Sequence, residues 1–97
     1  MIKDFITAEQ ARKLREESNN QRIEDFYEKQ KLTFEKIKGD IEIACKSDKN
    51  QIEETFRFDK PTTAKCYEEV LLYLGYNVSM FIKPVIGFYD CTFKISW

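Results

Sequence analysis

The chain has no histidine at all, and that single absence excludes much chemistry. Cys–His and Ser–His–Asp arrangements cannot form, and metal sites lose their commonest nitrogen ligand. Glycine and proline are scarce, at three and two in 97 residues, and Gly39, Gly75 and Gly87 stand alone, so there is no glycine-rich loop to cradle a phosphate. The three cysteines, Cys45, Cys66 and Cys91, are widely spaced and odd in number. No CxxC pair exists, so buried free thiols are expected, as in a reducing cytoplasm. No apolar run approaches the ~20 residues of a membrane span, and Met1-Ile2-Lys3-Asp4 does not open a signal peptide, so no membrane association is expected. Charge of one sign is missing too. Sixteen basic and 17 acidic residues leave a net −1, interleaved along the chain, whereas phosphate neutralisation demands a basic face.

What is present suits one packed domain over residues 1–97, with a helical part (1–50) and a β-α-β-β part (51–97). Apolar residues make up 42% and charged residues 34%, and the eight Phe, five Tyr and one Trp provide for an aromatic core.

Thr7-Ala8-Glu9-Gln10 has the spacing of a capping box, with Ile6 placed as its staple, and predicts a helix from Ala8 to about Glu17. Ser18-Asn19-Asn20-Gln21 offers a second box, so a break is expected there, with a continuous helix as the alternative. From Gln21 to about Lys46, Ile23, Tyr27, Gln30, Phe34, Ile37, Ile41 and Ala44 follow a heptad seam, widened by Phe26 and Ile43. Such a helix would be ~39 Å long, more than a domain of this size needs, so one end is expected to project.

Gln51 to Phe58 alternates as a half-buried strand. Glu54 takes its core-facing phase, where an edge position open to water is expected; the alternative is a buried carboxylate with a partner. A helix capped by Thr62 or Thr63 follows, its stripe formed by Ala64, Tyr67, Val70, Leu71 and Leu74, and Gly75 stands where a helix-ending glycine belongs. The remaining residues read as a hairpin turning near Pro84 to Gly87. The expected fold is therefore α+β, in the order α-α-β-α-β-β: a three-stranded antiparallel-type sheet with a C-terminal hairpin and the long amphipathic helix packed on one face. The sheet's strand order stays open, since the first strand can join either edge of the hairpin.

No catalytic constellation is found, no cofactor and no metal site, so no enzyme is expected. Glu53-Glu54 and Glu68-Glu69 are adjacent acids, and neighbours on a strand or helix diverge rather than converge. Neither Ser47 with Lys49 nor Ser79 with Lys83 sits in a motif for Ser–Lys chemistry. Apolar residues in the wrong phase carry more information. Phe81 and Phe88 fall on the polar face of the hairpin, beside Val85 and Ile86 at its tip. Together with Ile23, Phe26 and Tyr27 at the projecting end of the long helix, they form the expected interface. The competing reading is a bulge at Gly87 that turns Phe88 inward.

Ile6-Thr7-Ala8-Glu9-Gln10-Ala11-Arg12-Lys13-Leu14, the Leu74-Gly75-Tyr76-Asn77-Val78 junction and the closing Ile95-Ser96-Trp97 resemble small, poorly characterised proteins of tailed bacteriophages. Those begin with a T-A-x-x-A-R-type helix, pass through an L-x-x-x-G-Y-x-V turn and finish in a strand ending I-S-W. The resemblance implies a phage product acting in the host bacterial cytoplasm or carried in the virion. No active site comes with it. The expected role is a non-enzymatic accessory protein acting by binding, as a homo-oligomer that blocks a host (defence) protein or sequesters a small ligand. The alternatives are a virion structural component and a nucleic-acid-binding regulator using Lys29, Lys31, Lys36 and Lys38. Glu28, Glu35, Asp40 and Glu42 dilute those lysines, which makes nucleic acid the least favoured partner.

Overall fold

The computed structural model describes residues 7–97, so the Ile6 staple lies outside the described residues. Their order is α1 (Ala8–Lys29), α2 (Lys31–Lys46), β1 (Gln51–Phe58), α3 (Pro61–Tyr73), β2 (Asn77–Val85) and β3 (Phe88–Ser96). This is the α+β order expected, α-α-β-α-β-β, with an open antiparallel sheet and a C-terminal hairpin. The strand order is β1-β3-β2, which places the last strand in the centre.

The capping box forms as its spacing predicts: the Gln10 N–H donates to Thr7 Oγ1 at 3.2 Å and the Thr7 N–H to Gln10 Oε1 at 2.9 Å. The expected break at Ser18 does not occur. Gln21 donates forward to Asp25 Oδ1 at 2.9 Å instead of reaching back, and α1 runs on to Lys29. The interruption falls at Gln30, which leaves helical geometry at φ −107° and ψ 26°. The main-chain ladder survives on both sides, from the Gln30 N–H to Phe26 O at 3.0 Å and from the Phe34 N–H to Gln30 O at 3.1 Å. The cause is tertiary. α1 packs on α3 while α2 packs on β1, and one straight rod cannot serve both. The seam residue that yields is the polar one, and its Oε1 accepts the Tyr67 hydroxyl at 2.8 Å.

α3 starts one residue before the two candidate threonine caps. Lys60 is its N-cap and Pro61 its first helical residue, where the missing N–H and fixed φ of proline fit. It ends as Gly75 requires: at φ +95° the glycine N–H bonds Leu72 O and the Tyr76 N–H bonds Leu71 O, closing a Schellman motif.

All helices lie on one face of the sheet. Cys91, Phe93 and Ile95 of the central strand are fully buried beneath Ala64, Tyr67, Val70 and Leu71 of α3 and Phe34 and Ile37 of α2. Tyr67 is the hub, with ring centroids 4.9 Å from Phe34, 5.0 Å from Phe26 and 5.3 Å from Phe58. Among the described residues, the first half of α1 has nothing to pack against. No α1 residue is buried, and from Ala8 to Gln21 only Ala11 is even half-covered. The projecting end is thus the N-terminal end of α1.

Candidate protein-binding surface

The sheet's second face carries no helix of the described residues. Its registers align Glu53, Lys94 and Ser79 in one row, Thr55, Thr92 and Phe81 in the next, then Arg57, Asp90 and Lys83, then Phe88 with Val85. The ladder runs without a bulge to the Val85–Phe88 pair, and Gly87, at φ +81°, closes a two-residue turn. Phe88 therefore stays on the outer face and is not rotated inward. Phe81 is 58% exposed, Phe88 46% and Ile86, at the apex, 98%. Val85, Ile86 and Phe88 cluster at the tip, and the Arg57–Asp90–Lys83 row stands between them and Phe81.

Cations frame both rings. Lys94 Nζ lies 5.5 Å from the Phe81 centroid and the Arg57 guanidinium 5.6 Å from that of Phe88, distances that favour cation–π attraction. Arg57 also holds Asp90 at 2.9 Å, and this pair pushes the Asp90 carboxyl below its ordinary value. The outer face thus sets exposed apolar groups on either side of a charged row, the mixture of apolar and polar groups found in protein interfaces.

The other half of the expected surface is placed differently. Ile23, Phe26 and Tyr27 are not a free helix end; all three are half-buried and pack against the core. Phe26 stands edge-on to Tyr67, and Tyr27 meets Phe34 at 5.1 Å. The bend at Gln30 causes this by folding that stretch onto α3. Ile23 and Tyr27 line a cleft of about 360 Å³ with Val70, Tyr73 and Leu74. It sits at the Leu74 end of β2, and the hairpin tip is at the other, a strand of nine residues or about 30 Å away. The two groups do not make one surface.

Glu54 departs from its expected exposure. β1 is an edge strand, but α2 covers it, and Glu54 is only 8% exposed. Its carboxylate meets Lys36 Nζ at 3.0 Å, and Lys36 meets Asp40 at 3.0 Å. Burial, then the hydrogen bond to Asp40, pushes Glu54 up from the ordinary carboxylate range. That same bond, then Lys36, holds Asp40 down. As pH falls Glu54 thus takes up a proton before Asp40 does, and the trio pins α2 to β1. The core-facing phase of Glu54 was visible in the sequence, but its partner 18 positions earlier was not.

Two of the four lysines considered for nucleic acid are occupied by carboxylates: Lys36 as described, and Lys38 by Glu42 at 3.9 Å. All three cysteines are free. Cys91 is buried and Cys66 half-buried, but Cys45 is exposed, against expectation, because it lies beside rather than on the Ala44 stripe of α2. Among the described residues there is no group of three metal-ligating side chains, and no helix is long and apolar enough to cross a membrane. Comparison with family models, curated proteins and solved structures returns no match.

Proposed function

We propose that the protein is a non-enzymatic phage accessory protein that acts by binding, as a homo-oligomer that blocks a host protein (defence proteins included) or sequesters a small ligand. The observation that carries this reading is the hairpin patch. Phe81, Val85, Ile86 and Phe88 are open to solvent on a sheet face that no helix covers, beside the cations of Arg57 and Lys94. Exposed apolar groups of this kind, interleaved with charge, mark interaction surfaces on soluble proteins. The phage origin and the site of action, host cytoplasm or virion, rest on the resemblance of the chain's two ends and its Leu74–Val78 junction to phage proteins.

The patch side chains contribute nothing to the core, so removing them tests function apart from folding. The double variant Phe81→Ser/Phe88→Ser is expected to keep the wild-type thermal transition within a few degrees. Its mass by light scattering should fall, or its capture of host protein should be lost. Unchanged mass together with unchanged capture would sink the reading. Binding of labelled single-stranded DNA at low salt, lost in the same variant, would replace the protein partner by nucleic acid stacked on the two rings.

A further inference from the structure

The two edges of the sheet are built differently. β1 carries Glu53, Glu54 and Arg57, and Glu54 points inward, a device by which natural sheets refuse a further strand. α2 also lies over it. β2 has none of this protection from Asn77 to Ile82, a run of Asn, Val, Ser, Met, Phe and Ile without a charge. Its one charged residue, Lys83, and its one proline, Pro84, sit at the hairpin end.

The open edge has a definite set of free groups. A two-residue turn makes Val85–Phe88 the hydrogen-bonded closing pair, so Ser79, Phe81 and Lys83 also bond to β3. Val78, Met80, Ile82 and Pro84 then face their main-chain groups outward. Proline occupies one of these positions, where a missing N–H costs the hairpin nothing. Beside this edge lie apolar side chains that the monomer covers poorly. Ile82 is 36% exposed on the helix-bearing face, and Leu72 of α3, 50% exposed, borders Val78 and Ser79.

We infer that β2 pairs antiparallel with β2 of a second copy, joining two three-stranded sheets into one of six. This rests on the homo-oligomer reading and names its geometry. The segment is complementary to itself about Met80. In that register Val78 meets Ile82 of the other copy and Met80 meets its twin, all on the helix-bearing face. Ser79 meets Phe81 on the outer face, and Lys83 meets Asn77, so no like charges oppose. Each residue contacts its counterpart reciprocally, as a two-fold interface requires. The exposed Ile82 and Leu72 gain cover from the incoming strand, and both Phe81 rings are brought to one outer surface.

The test is amide exchange followed by NMR at several protein concentrations, with light scattering on the same samples. Ser79, Phe81 and Lys83 are internal controls, protected by β3 at every concentration. The Val78, Met80 and Ile82 amides should be protected in the dimer and exchange at least tenfold faster when dilution yields monomer. Met80→Pro removes an outward N–H only and should give a folded monomer; if it fails to fold, the wild-type exchange decides. A dimer whose Val78, Met80 and Ile82 amides exchange as freely as in the monomer overturns the edge pairing and leaves the homo-oligomer reading intact. A folded Met80→Pro variant that dimerises like wild type also overturns the pairing alone. A monomer at every concentration overturns both.

Discussion

Glu54 shows how one side chain can work against the fold that contains it. Its carboxyl is raised above its unfolded value by burial and by Asp40, so the folded chain holds this proton more tightly than the unfolded chain. That stabilisation is complete below the ordinary carboxylate range and is lost as pH rises through the raised value. Asp40 runs oppositely: held down by Glu54 and Lys36, it stabilises above the ordinary range and loses that contribution in acid. Glu54→Gln keeps the neutral form at every pH, with an amide that can still donate to Asp40 and accept from Lys36. Its melting temperature should exceed wild type at pH 7, and the gain should vanish near pH 4. A gain independent of pH, or a loss at pH 7, would mean that Glu54 stays ionised against Lys36. The alternation of β1 already placed a carboxylate in the core phase. It could not reveal the cover, because α2 reaches β1 only once the chain has folded.

Among the elements, α1 is the least consistent with isolated stability. Its first half is capped and rich in good helix formers, yet it buries nothing, and free helices shorter than about 12–15 residues are marginal in water. Amides of Leu14 to Asn20 should therefore exchange orders of magnitude faster than those of Tyr67 to Leu71 in α3, where every opening disrupts the core. Protection of the arm equal to that of α3 would show that something covers it. The strands and α3 were legible because local rules fixed them: alternation for β1, β2 and β3, and Gly75 for the end of α3. The helix break was not. Ser18-Asn19-Asn20-Gln21 carries a local capping signal and loses, while Gln30 carries none and bends, because Tyr67 and the two separate docking faces act through tertiary contact. The exposure of the hairpin residues followed from phase alone, while the half-burial of Ile23, Phe26 and Tyr27 depends on the bend at Gln30.

For the whole molecule, the cost of that arm is compactness. The radius of gyration is 17.3 Å, against about 12.5 Å for a compact chain of this length. The longest dimension is 61 Å and the shortest 21 Å. Small-angle scattering at concentrations low enough for monomer should return a value near the larger radius. A value near the smaller one would mean that the arm folds back on the body.

The unequal edges of the sheet have a consequence for how far assembly can go. In the language of polymer chemistry, a unit with two reactive ends propagates and a unit with one terminates. Under the edge pairing inferred above, with β2 open and β1 carrying an inward carboxylate, each chain has a valence of one, so strand addition would stop at a pair and not grow into a fibre. Glu54, whose charged form is disfavoured by burial, is on this view the chain stopper that limits an adhesive strand to one partner.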